Sequence, residues 1–99
     1  MAKLAAQPHD ADAIHEYLRQ TPGLNHLRTR RRGDLVVIES GPPDDPLPHA
    51  RLRRVAVHQW RLEMATHTGR WESTPFQGQR DEVVQLLVED FGWTLAPRE

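Results

Sequence analysis

Seven arginines in two short runs are the residues of this chain whose types and spacing suggest chemistry: Arg28, Arg30, Arg31 and Arg32, then Arg51, Arg53 and Arg54. A guanidinium is a planar, permanently charged fork of donors that matches a carboxylate or a phosphate in two bonds at once. Side chains alternate across a β-strand, so Arg28, Arg30 and Arg32 share one face of a strand and Arg51 and Arg53 share a face of another. If the two strands were neighbours they would present a guanidinium ladder to a phosphate backbone. The competing reading is a solvated outer face of an antiparallel sheet, its arginines paired with Asp34, Glu39 or Glu63. Single-strand readers also need aromatic platforms for bases, and Trp60 and Trp71 stand at positions that suit a core equally well.

The remaining reactive types carry less. Six histidines, His9, His15, His26, His49, His58 and His67, are scattered without any paired-ligand spacing, and the chain has no cysteine, so neither a metal site nor a thiol enzyme is expected. Ser40 and Ser73 lack the strand-turn-helix setting of an activated nucleophile. Gly33, Gly41, Gly69, Gly78 and Gly92 are isolated and read as turns or caps, not as a phosphate loop. Arg32-Gly33-Asp34, a tripeptide known from adhesion ligands, suits a hairpin turn. We expect no enzyme and no cofactor, and a pocket enclosing His58 or His67 with a carboxylate would be the observation that speaks for one. Trp71 and Trp93 are expected to seal the ends of a small core. An exposed tryptophan would instead be an interaction hot spot, because tryptophan and arginine dominate such spots.

The elements that must position these residues follow from periodicity. Residues 1–9 lack an apolar period and include Pro8, so a frayed terminus is expected, followed by one domain over 10–96 and a tail at 97–99. Asp10 or Asp12 can cap a helix reaching Gln20, with Ala11, Ile14, Tyr17 and Leu18 at spacings of three and four, stopped by Pro22-Gly23. Arg28 to Glu39 predicts a hairpin turning at Gly33. Leu35 to Ile38 is apolar on both faces, which predicts the innermost strand, covered on both sides or by another subunit. Gly41 to Pro48 holds four prolines and reads as a stiff loop. Between Arg51 and Met64 the apolar parity shifts, predicting a bulge or a tight turn at Val57-His58-Gln59. Arg70 to Ser73 predicts a short strand that brings Trp71 beside Trp60, and Pro75 to Gly78 closes the sheet. Val83, Val84, Leu87, Val88 and Phe91 form the stripe of a second helix from about Arg80 to Asp90, with Gly92 as its cap.

The fold class predicted is therefore α+β: an N-terminal helix, an antiparallel sheet of three to five strands and a C-terminal helix, both helices on one sheet face. That order is also the order of double-stranded RNA-binding domains. The likeness ends there, because such domains present a basic end of their last helix to phosphates and this helix opens Gln79-Arg80-Asp81-Glu82.

Length and charge bound the rest. Ninety-nine residues, 37% of them hydrophobic and 27% charged, allow one modest core. The net charge of −1 conceals a basic middle, with eight arginines against four carboxylates between Arg28 and Arg61, and an acidic end, with two arginines against five carboxylates from Gln79 on. No apolar run approaches membrane length or a signal-peptide core, so a cytoplasmic protein without a membrane partner is expected. A small non-enzymatic interaction or adaptor module is the function expected, acting on a protein partner or another copy through its sheet face and its Trp/Arg surface. The candidate interface residues are Leu35, Val37 and Trp71. The alternative is a nucleic-acid binder using the seven arginines on a phosphate backbone.

Overall fold

Helix α1 spans Pro8–Gln20, and it begins two residues before the expected cap. Asp10 is its third residue: Gln7 is the N-cap, and its backbone amide donates to the Asp10 carboxylate at 2.9 Å. Pro8 fits the first turn because an amide there would have no helical partner. The computed structural model describes residues 4–66 and 68–95, the side chains of residues 93 and 94 excepted. The expectations for residues 1–3, His67, the Trp93 side chain and the 97–99 tail lie outside the described residues. Within the segment before the helix, Ala6 is buried and its amide donates to the Gly33 carbonyl oxygen at 2.8 Å, which lays residues 4–7 against the first hairpin turn.

Five strands follow, β1 (Arg28–Arg32), β2 (Leu35–Ser40), β3 (Leu47–Ala56), β4 (Gln59–Ala65) and β5 (Trp71–Gly78), paired antiparallel in the order of the chain. The innermost strand is β3, not β2, because the sheet is a simple meander with two strands on either side of it. The proline segment is shorter than expected: β3 starts at Leu47, and Pro48 lies opposite Glu39 where the β2–β3 register shifts. The parity change between Val55 and Trp60 is a tight turn with a bulge at Arg54/Ala56. Strand β5 runs through Pro75 to Gly78, farther than expected, since an edge strand tolerates a residue that donates no ladder bond. Trp60 pairs with Gly78 and Trp71 with Ala65, so the two tryptophans are not neighbours.

Helix α2 spans Arg80–Phe91 from the Gln79 cap, with the Glu82 carboxylate accepting the Gln79 amide at 3.1 Å. Gly92 does not make the left-handed cap expected of it; its φ is −56°, and the chain continues as a 3-10 turn, Gly92–Leu95, that buries Leu95.

Most of the buried apolar residues form one cluster. Val36, Ile38, Ala50, Leu52, Trp60 and Leu62 share one sheet face by alternation and register, and they pack with Ile14 and Leu18 of α1 and Val83, Val84 and Leu87 of α2. Both helices therefore cover that face, and among the described residues no helix lies over the opposite face of the meander.

Candidate functional site

The uncovered face is written in rows by the strand registers. One row reads Arg32, Leu35, Arg53, Arg61 and Gln77 across β1 to β5, and the next reads Arg30, Val37, Arg51, Glu63 and Ser73. A third opens Arg28, Glu39, Pro48, with Ala65 opposite Trp71 on the far strands. Every β1 residue on this face is an arginine. Six arginines and three carboxylates, counting Asp34 at the hairpin turn, give an excess of three positive charges. A concavity of about 660 Å³ opens on the face, lined among others by Arg30, Arg32, Leu35, Val37, Pro48 and Trp71.

Two of those carboxylates are buried, Glu39 at 3% and Glu63 at 4% exposed. A charge so placed must be paired. Glu39 accepts from Arg28 at 3.0 Å and Arg30 at 3.0 Å, and Arg28 is held further by the Gly41 and Pro42 carbonyl oxygens. Glu63 accepts from Arg51 at 2.5 Å, Arg53 at 3.2 Å and the Ser73 hydroxyl at 3.2 Å, while Arg53 also reaches Asp34 at 3.1 Å. Burial pushes the Glu63 carboxyl up, but the hydrogen bonds and charges of Arg51 and Arg53 outweigh it and hold its pKa below the ordinary value. The same bond to Glu63 raises the Arg53 pKa. Arg51 in addition stacks on the Trp71 ring, 4.3 Å from its centroid.

Of the seven arginines singled out from the sequence, five stand on this face: Arg28, Arg30, Arg32, Arg51 and Arg53. They form no single ladder, because β2 lies between their strands and interposes Leu35, Val37 and Glu39. Arg31 and Arg54 turn to the helix side, where Arg31 donates to the Ala6 carbonyl and Arg54 to those of Ala5 and Val57. Arg61, which sequence reasoning left out, joins the face beside Arg53; its parity with Glu63 was the available signal. Leu35 and Trp71 are half-buried, and Val37 is 5% exposed, flanked by Arg30 and Arg51.

A second concavity, about 410 Å³, opens where the two helix starts meet and is lined by His9, Asp10, Arg54, Val57, His58, Trp60, Gln79, Arg80 and Asp81. It does enclose His58 with carboxylates. Asp10 is committed, however: it accepts the Gln7 amide and the Arg80 guanidinium at 2.7 Å. Burial raises its pKa less than the Gln7 and Arg80 bonds lower it. Among the described residues His58 forms no ion pair with a carboxylate, His9 Nε2 lies 3.6 Å from Asp10 Oδ1, and no serine or threonine lines the hollow. Ser40 and His49 are hydrogen-bonded at 2.7 Å, and both are buried at the end of the core, with His26 edge-on to His49. Among the described residues no three histidine or acidic side chains gather where they could hold a metal ion, and no helix is long and apolar enough to cross a membrane.

Fold and site together define a class: an antiparallel five-stranded meander backed by two helices, with an open, arginine-rich face pinned by two buried glutamates. The chain matches no protein-family model, no curated protein and no solved structure.

Proposed function

We propose that the chain is a small non-enzymatic interaction module that binds a protein partner across its open sheet face. The observation that carries this reading is the concavity on that face, where Leu35, Pro48 and Trp71 supply apolar surface within a frame of guanidiniums. Arginine and tryptophan next to a concave apolar floor are the composition of an interface hot spot. The cytoplasm is the compartment proposed, and the absence of cysteine is compatible with a reducing compartment.

The phosphate-backbone reading has less support. Arg28, Arg51 and Arg53 are engaged by Glu39, Glu63 and Asp34, and those carboxylates would repel a phosphate lying above them. A photo-reactive residue placed at Leu35 or Ser73, with Gln85 on α2 as the control, tests the choice in cells of the native host. The expected result is discrete protein adducts from the two face positions and none from Gln85. Nucleic-acid adducts, or equal labelling at all three positions, would sink it.

A further inference from the structure

We infer that the occupant of the open face is an extended acidic segment of the partner, about six residues long, with carboxylates at its β1 end and an apolar side chain at its Trp71 end; this rests on the protein-binding reading above. Charge selects the sign. Arg32 is exposed and makes no hydrogen bond or ion pair with any described residue. Arg30, its side chain 53% exposed, gives only its Nε to Glu39 and leaves both terminal nitrogens open. The guanidinium of Arg32 and the open terminal nitrogens of Arg30, on residues roughly 7 Å apart along one strand face, can each take a carboxylate from successive residues of an extended chain, whose side chains splay to opposite sides. A basic or neutral segment would leave them without a partner.

The rest of the concavity sets length and chemistry. From β1 to β5 is four strand spacings of about 4.8 Å, roughly 19 Å, which an extended chain rising about 3.3 Å per residue covers in about six residues. The path crosses Leu35 and Val37 and ends among Pro46, Pro48 and Trp71. Arg51 covers one face of the Trp71 ring, and what remains of the ring together with the proline surface suits an aliphatic or aromatic side chain. Another copy of this chain is a poorer fit: among the described residues its exposed carboxylates stand on the helices (Asp12, Glu16, Asp81, Glu82, Glu89 and Asp90), singly on β5 (Glu72), or in the turn at Asp44 and Asp45, so none of them forms an extended acidic run, and a helix about 10 Å across meets a shallow hollow only at the rim.

The experiment is selection of a random heptapeptide display library on the full chain at low salt. Anisotropy then follows with a labelled peptide of two glutamates, serine, leucine, serine and phenylalanine, its lysine-for-glutamate counterpart, and a labelled single-stranded 12-mer DNA. Enrichment of paired acidic residues ahead of an apolar one is expected. The acidic peptide should bind at least tenfold tighter than its lysine counterpart, and Arg32→Glu should weaken it about tenfold while the far-ultraviolet circular dichroism stays unchanged. Selected peptides without acidic preference, or no selected peptide at all, would overturn the acidic occupant and leave the protein-binding reading to the crosslinks. Tighter binding of the DNA than of any peptide would overturn both, and concentration-dependent self-association blocked by Arg32→Glu would replace the peptide with a second copy.

Discussion

At the scale of single residues, Glu63 decides most. It is a buried acid on a face that has no helix over it, and what makes it tolerable is the grip of Arg51, Arg53 and Ser73. Glu63→Gln would leave two guanidiniums without their carboxylate and is expected to cost about 3 kcal/mol in denaturant unfolding, the low end for breaking such a pair because both arginines keep some solvent. The protonation argument runs the same way. A carboxyl whose pKa falls on folding stabilises the native state above its ordinary value, 4.5 for Glu63, and that stability is lost as pH drops through the lower folded value. Asp10 acts in the same sense from an ordinary value of 3.8. The unfolding free energy should therefore be level above pH 4.5 and decline below it, and Glu63→Gln should flatten that decline; a decline unchanged in the variant would exclude Glu63 as its source.

At the scale of elements, two local devices hold the frame. Gly33 sits at φ +59° in the turn between β1 and β2, a conformation that costs an L side chain about 1–2 kcal/mol. No atom lies within 4 Å of a Cβ added there, so Gly33→Ala should lose about that amount by thermal or denaturant unfolding and nothing more. The second device joins the helices. Asp10 serves α1 as acceptor for the Gln7 amide and reaches across to Arg80 in the first turn of α2. Asp10→Ala should cost about 1–2 kcal/mol. Because one contact is shared, the Asp10→Ala, Arg80→Ala double variant should lose less than the two single losses combined. Strict additivity would mean that the helices are held by packing alone.

For the whole molecule, binding and stability are expected to separate on the open face. Trp71 is half-buried on an edge strand, outside the core cluster, so Trp71→Ala should reduce partner or peptide binding at least tenfold with a modest loss of stability. Arg32→Glu should change stability by no more than about 0.5 kcal/mol, since no described residue is bonded to that side chain. Loss of stability from Arg32→Glu comparable to that from Glu63→Gln would show that the edge arginine belongs to the fold and not to a binding surface. The cover that the sequence demanded comes from the chain itself for Val36, Val37 and Ile38, while Leu35 stays half-buried on the open face. Val36 and Ile38 meet the helices, and Val37 lies between Arg30 and Arg51, whose long apolar stems can shield a neighbour while their heads stay in water.

The amino-acid sequence by itself determined the order of elements, the apolar stripes of both helices, the first hairpin turn and the parity that places Arg28, Arg30 and Arg32 on one side of a strand. All of these are local, set by the periods of helix and strand and by the freedom of glycine. Only the tertiary structure decided which strands are neighbours and how they are aligned. Alternation states which residues share a face of one strand but not what lies across from them: Glu39 and Glu63 were named as possible partners of the arginines, yet that β2 separates the arginine strands and that each acid is shared by two arginines came only from the register. Nor did parity reveal that Glu63 would sink beneath Arg51 and Arg53, since a single strand's pattern reads an acid as solvent-facing. That Arg31 and Arg54 stand on the helix side follows from the register to Val36 and Trp60, the core residues opposite them. The arginines were legible as a group; which of them are spent on buried acids and which remain open to a partner depended on pairings made across 9 to 19 positions of the chain.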